Sequence, residues 1–223
     1  MKLYTFDGSP TSRMVLLFCA EEGIDFEKVD VDLLAGAHLS ESYKRINPCS
    51  LVPVLEDGGY RLTESSAILK YLAEKYDSKT YPRELKLRGR IHEMMDWLNT
   101  GLYRVMGYDF IYPQIYGHHR RDSAVVNEGT IEWGRQRTHH SLQLLDSHWL
   151  GEKRFLCGDQ ITLADFFGAP IISQFDLIGA SLAPFQNVVR WMGEMRKLKA
   201  WDDVHAMHKG YAASLANREF VVL

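Results

Sequence analysis

Residues 52–66 read Val52-Pro53-Val54-Leu55-Glu56-Asp57-Gly58-Gly59-Tyr60-Arg61-Leu62-Thr63-Glu64-Ser65-Ser66, and each part of the stretch constrains the fold differently. Two short apolar runs flank Asp57-Gly58-Gly59, which is the signal of a tight antiparallel hairpin. A proline removes a ladder donor, so Pro53 belongs at a strand start. A cis peptide before it would turn the Val52 backbone outward, free to pair with an extended, peptide-like ligand; a trans proline is the plainer alternative. Glu64-Ser65-Ser66 then opens a helix expected from Glu64 to Tyr76, with Ile68, Tyr71 and Leu72 on one side. At such a start Ser65 can offer N–H and hydroxyl to a carboxylate while Glu64 accepts an ammonium, although capping alone also explains these residues.

Working outward, Lys2–Phe6 reads as a strand. Thr11–Glu22 places Met14, Leu17, Phe18 and Glu21 at helical spacing and stops at Gly23. Val29, Val31 and Leu33 alternate with Asp30 and Asp32, as a half-buried strand does. The order β-α-β then β-β-α predicts a small α/β domain whose sheet is mixed, because a βαβ unit is parallel and a tight hairpin is antiparallel. Asp77–Pro82 reads as a polar linker. Beyond it strand signals cease: Leu87, Ile91, Met94, Met95, Leu98, Leu102 and Met106 recur at helical spacing, as do Leu142, Leu145 and Trp149, then Val188, Trp191, Met195 and Leu198. The expected division is an α/β domain over residues 1–78 and an all-helical domain over residues 86–223. Trp133, Trp149 and Trp191 are expected in the core, and the apolar tail Phe220–Leu223 is expected to pack on the helices rather than form a lid.

With 223 residues, 46% hydrophobic and 25% charged, the chain can bury a substantial core. A formal charge of -3 without a basic stretch argues against a nucleic-acid partner. No run approaches the roughly 20 apolar residues of a membrane span, and the opening MKLYTFDGSP lacks a leader's apolar run, so a cytoplasmic location is expected. Cys19, Cys49 and Cys157 show no metal-binding or disulfide spacing. The pairs His118-His119 and His139-His140 diverge on a helix, so no metal is expected.

The turn Asp7-Gly8-Ser9-Pro10-Thr11-Ser12-Arg13 joins the first strand to the first helix, where hydroxyls, open N–H groups and the helix dipole favour an anion or a cap. Taken with Val52-Pro53 and Glu64-Ser65, this pattern resembles the thioredoxin-like domain of cytosolic glutathione transferases. The helical half resembles the same family: Gly158-Asp159-Gln160-Ile161-Thr162-Leu163-Ala164-Asp165 matches its capping box with a preceding apolar staple. Tyr112-Pro113-Gln114-Ile115 and Asn187-Val188-Val189-Arg190-Trp191 are similar to its theta and delta classes and their bacterial relatives.

The resemblance implies glutathione as co-substrate and Ser9 as the hydroxyl that holds its sulfur as a thiolate. The turn carries neither Tyr nor Cys, which sets aside the mechanisms built on those residues. Thr11 stands where the family pattern has proline, and this leaves Ser12 as a rival to Ser9. His38 and Ser50 are implied at the glycine end, Val52 and Pro53 at the cysteinyl backbone, and Glu64, Ser65 and Ser66 at the γ-glutamyl end. Ser50 and Ser66 stand where the family often has larger polar or basic residues. A small apolar electrophile is expected against Met106, Phe110, Tyr112 and Tyr116. A homodimer and a role in detoxification are implied by resemblance alone. The same thiolate would serve a dehalogenase or peroxidase, and a non-catalytic scaffold retaining the fold is the alternative of a different class.

Overall fold

The computed structural model describes residues 1–223. Strands β1 (Lys2–Thr5), β2 (Glu27–Asp30), β3 (Val54–Asp57) and β4 (Tyr60–Leu62) form one sheet in the order β2-β1-β3-β4. β1 pairs parallel with β2 and antiparallel with β3, and β3 pairs antiparallel with β4. The sheet is therefore mixed, as the connections require. β2 ends earlier than its alternation suggests. Val31 still donates to Thr5 O at 2.8 Å. The Asp32 carboxylate then accepts from the N–H groups of Leu34 and Ala35, which turns the chain out of the sheet.

Helix α1 (Pro10–Glu22) is buried without a break from Ser12 to Cys19 and stops at Gly23, whose φ of 65° is the left-handed conformation that ends many helices. After a short 3₁₀ turn, Ala37–Leu39, comes α2 (Glu41–Lys44), capped by the Ser40 hydroxyl; neither is signalled by periodicity. α3 (Ser65–Lys75) packs Ile68, Leu69 and Leu72 inward. The segment Asp77–Pro82 is not the free linker that its polarity suggests. Ser78, Thr80 and Tyr81 are buried, Ser78 Oγ donates to Glu22, and Thr80 O accepts from Leu163 N–H at 3.0 Å.

The helical layer begins with α4 (Leu85–Asp96), which runs on through a π-helical stretch, Trp97–Ile111, into α5 (Tyr112–Ile115). α6 (Ala124–Leu144) packs alongside that stretch. α7 (Leu163–Ile172) is buried throughout and lies against α1, with Phe18 and Phe166 edge to face at 5.5 Å. α8 (Gln186–Met195), α9 (Trp201–Val204) and α10 (Ala206–Leu215) close the layer. At the start of α7 the Asp165 carboxylate accepts from the N–H and hydroxyl of Thr162, from Leu156 N–H and from Trp191 Nε1. Burial still pushes that carboxyl up to about 6.

Trp191 is fully buried and Trp149 partly so, whereas Trp133 is 50% exposed on α6, its ring covered by the Arg137 guanidinium at 4.9 Å. The tail packs on the helices: Gln114 donates to Val221 O and accepts from its N–H. No helix is long and apolar enough to cross a membrane. One cluster of 48 buried residues spans both layers, so the α/β and helical parts share a core.

Candidate active site

Between the two layers lies a cleft of about 830 Å³. Ser9 enters it from the turn before α1. It occupies the N-cap position with extended backbone (φ −77°, ψ 127°), yet its hydroxyl makes no capping bond. Instead Ser9 Oγ lies 2.8 Å from Thr11 Oγ1, and Thr11 Oγ1 donates to Val52 O at 3.0 Å. Pro10 follows as the first helical residue, where a missing N–H costs nothing. Ser12 is fully buried, and its Oγ accepts from Phe6 N–H at 3.3 Å; it does not reach the cleft.

The Val52–Pro53 peptide is cis, and both residues line the cleft. The loop before them is pinned from below: Tyr43 Oη and Asn47 Nδ2 both donate to Leu51 O at 2.8 Å. Val52 O accepts from Thr11, while Val52 N–H has no partner in the chain. Glu64 lines the same wall with φ 64° and ψ 113°, a region costly for a side chain with a Cβ and commonest where function holds it in place. Ser65 follows at the start of α3, where the first N–H groups have no intrahelical acceptor. Ser66, one residue further, does not line the cleft. His38 and Ser50 also border the cleft; His38 Nδ1 is buried without a hydrogen-bond partner, and Ser50 also holds a positive φ of 56°.

The facing wall comes from the π-helical stretch and α5, and here the sequence expectation needs correction. Met106 and Phe110 are fully buried in the core and do not line the cleft. Tyr112 and Tyr116 do, joined by Asn99, Tyr103, Arg104 and Tyr108, which periodicity did not single out. The reason is angular. Leu98, Leu102, Met106 and Phe110, every fourth residue, form the inward stripe, and residues one or two places along are turned away from that stripe. The rings interlock: Tyr108 and Tyr112 meet at 5.4 Å, Tyr112 and His119 at 5.3 Å, and Tyr116 stacks on Tyr211 at 6.1 Å. Tyr103 and Tyr112 hydroxyls lie 2.9 Å apart. Burial pushes the phenols of Tyr103, Tyr112 and Tyr116 up, so they stay neutral near pH 7. His118 and His119 sit at the rim, and no group of His, Cys, Asp or Glu in the fold is arranged to hold a metal.

Cys49, exposed at the cleft, was also not singled out as a lining residue. Burial pushes the thiols of Cys19 and Cys157 up to about 12, which disfavours their thiolates near pH 7.

A thioredoxin-like layer joined to a helical layer thus encloses one cleft bordered by hydroxyls, the unpaired Val52 N–H and the starts of α1 and α3. Residues 1–74 match the family described as "Glutathione S-transferase, N-terminal domain", and residues 116–201 match "Glutathione S-transferase, C-terminal domain". The rat glutathione S-transferase theta-2 is 35% identical over 184 residues, covering 82% of this chain and 74% of its own. Human glutathione S-transferase theta-1 is 36% identical over 193 residues, covering 84% and 77%. Among solved structures, human theta-2 in complex with glutathione and an unknown ligand superposes with a TM-score of 0.84 at 28% identity, over 99% of this chain and 92% of that one. Human T1-1 without ligand gives 0.83 at 29%, over 95% and 90%. The chain belongs to the glutathione S-transferase family and is an enzyme of that family.

Proposed function

We propose that this transferase joins the thiolate of glutathione to small, largely apolar electrophiles, with the Ser9 hydroxyl donating a hydrogen bond to the sulfur. A free thiol has a pKa of about 8.5, so little is thiolate at neutral pH. A donor that pairs better with S⁻ than with S–H shifts that balance, and the positive end of α1 acts in the same sense. The observation that carries this reading is the placement of the Ser9 hydroxyl, free of any capping bond, in the same cleft as the unpaired Val52 N–H. Ser9 is preferred to Ser12 because only Ser9 borders the cleft.

The rest of the tripeptide is assigned by complementary chemistry. Val52 would pair its backbone with the cysteinyl unit. Glu64 and the start of α3 at Ser65 suit an amino-acid head group, ammonium to carboxylate and carboxylate to N–H. His38 and Ser50 suit the glycine carboxylate. The electrophile would lie on Tyr103, Tyr108, Tyr112 and Tyr116, whose rings give an apolar surface with hydroxyl handles. A working homodimer is compatible with the large apolar side chains left exposed away from the cleft, Leu85 at 82% and Val125 at 79% among them, and light scattering of the purified protein tests it. A role in detoxification is the biological counterpart of this chemistry.

Ser9→Ala is expected to raise the pKa of bound glutathione and lower kcat/KM for a chloronitrobenzene by about 10- to 100-fold, the worth of one charge-assisted hydrogen bond. The KM for glutathione should change little. Titration of the bound thiol by its ultraviolet absorbance is the direct check; a pKa equal in both proteins would remove Ser9 from this role.

A further inference from the structure

We propose that Thr11 is a positioning residue that sets the direction in which the Ser9 hydroxyl donates, and that capture of a ligand backbone at Val52 reverses that direction. Counting protons along the chain of contacts leads there. Thr11 Oγ1 lies 3.0 Å from Val52 O and 2.8 Å from Ser9 Oγ. A carbonyl oxygen only accepts, and a threonine hydroxyl has one proton. With that proton on Val52 O, the short contact to Ser9 requires Ser9 to donate to Thr11. In this geometry the order is therefore Ser9 to Thr11 to Val52, an arrangement in which Ser9 has only lone pairs to offer a ligand. That polarity opposes a thiolate.

A peptide ligand brings its own donor. When an amide N–H of the ligand pairs with Val52 O, the carbonyl no longer depends on Thr11. The Thr11 hydroxyl is then free to rotate and donate to Ser9 Oγ, and Ser9 can aim its proton at the sulfur. Each oxygen keeps its own hydrogen throughout; the thiol proton leaves to water, and the resulting S⁻ accepts from Ser9. The loaded order is Thr11 to Ser9 to sulfur. Consecutive hydrogen bonds polarise one another, so Ser9 becomes a better donor when it accepts from Thr11. One hydroxyl thus joins recognition of the ligand's backbone to ionisation of its thiol. The helix geometry makes the arrangement possible: Ser9 is extended at the N-cap and Thr11 is the second helical residue, so both hydroxyls reach the cleft beside the Val52 loop. A proline in the place of Thr11 would have nothing to donate.

Thr11 acts only through Ser9, so its role rests on the function proposed above for that residue. The test is the pKa of glutathione bound to the wild-type enzyme, Thr11→Val, Thr11→Ser, Ser9→Ala and the double variant Ser9→Ala/Thr11→Val. Thr11→Val keeps the shape and loses the hydroxyl; it should raise the thiol pKa by roughly 0.4 units, about 2.5-fold less thiolate at a fixed pH below it. Thr11→Ser should restore the wild-type value, which a purely structural role of the threonine methyl would not. In the Ser9→Ala background Thr11→Val should add nothing, because the residue it acts through is gone. A raised pKa in Ser9→Ala beside an unchanged or lowered one in Thr11→Val overturns the role of Thr11 and leaves Ser9 standing. An unmoved pKa in Ser9→Ala overturns both.

Discussion

Ser9 and Ser12 are three positions apart in one turn, and their fates differ because only one of them is inside the helix. Ser9 precedes the first helical residue in extended conformation, whereas Ser12 is wound into α1 and buried, its oxygen accepting from Phe6 N–H. The same resolution separates the histidines. His205 stacks on Trp201 at 3.8 Å and donates from Nδ1 to Trp201 O, leaving Nε2 buried without a partner. Burial, reinforced by the nearby Arg13 cation and by His208 and Lys209, lowers His205 from 6.5 to about 3. Between those values the unfolded chain carries a proton that the folded chain refuses, so stability is present above pH 6.5 and is lost as pH falls toward 3. His208 is lowered in the same sense, with Asp176 opposing. Replacing His205 with an uncharged ring, His205→Phe, should therefore flatten the acid side. The loss of unfolding free energy between pH 7 and pH 5, measured with urea, should shrink by about 2 kcal/mol. An identical pH dependence in both proteins would show that His205 titrates normally in the fold.

At the scale of elements, the cleft's aromatic wall is set by how closely α6 approaches the π-helical stretch. Gly134 permits that approach: a Cβ there would stand 2.6 Å from the Asp109 carbonyl carbon and 2.9 Å from Phe110 N, both backbone atoms. Asp109 is further tied by Arg121 Nη2 at 3.0 Å. Gly134→Ala should force the two segments apart, lowering stability by about 1–3 kcal/mol. It should also shift Tyr108 and Tyr112, raising the KM for the electrophile while that for glutathione holds; equal KM values would show that the wall does not depend on this contact. The same stretch explains what sequence reading reached and what it missed. The α/β layer was legible because alternation, the Asp57-Gly58-Gly59 turn and Gly23 are local signals that agree with the tertiary outcome, as are Ile161, Thr162 and Asp165 at the start of α7. The wall was not, because the apolar stripe marks only the buried side of a helix; Asn99, Tyr103 and Tyr108 lie off it, and their polarity resembles any solvated face. Asp77–Pro82 misled in the other direction: its hydroxyls look solvent-bound but are satisfied by Glu22 and by one another.

For the molecule as a whole, the cleft exists because two layers meet, and on the α1 side a buried cation joins the packing of α1 on α7 in holding them together. Arg13 is fully enclosed, four residues along α1 from Ser9, whose carbonyl accepts from Arg13 N–H at 3.0 Å. Its Nη1 donates to Ser173 Oγ at 2.9 Å and its Nη2 to His208 Nδ1 at 3.3 Å. A guanidinium can only donate, so Nδ1 must accept, and the His208 proton sits on Nε2, which donates to Ser173 O at 2.9 Å. Burial lowers Arg13 to about 10, so it remains charged at neutral pH with hydroxyl and imidazole partners instead of a carboxylate. This bond set ties the helix that carries Ser9 and Thr11 to the layer that carries the aromatic wall. Arg13→Ala should leave a cavity and two unpaired acceptors, lowering unfolding free energy by about 3 kcal/mol. Because both halves of the cleft lose their common reference, the KM values for glutathione and for the electrophile should rise together, unlike in Gly134→Ala, where only the second should move. Steady-state kinetics with each substrate varied in turn separates the two patterns, and a stable Arg13→Ala protein with both KM values unchanged would show that the layers hold their registration without the buried cation.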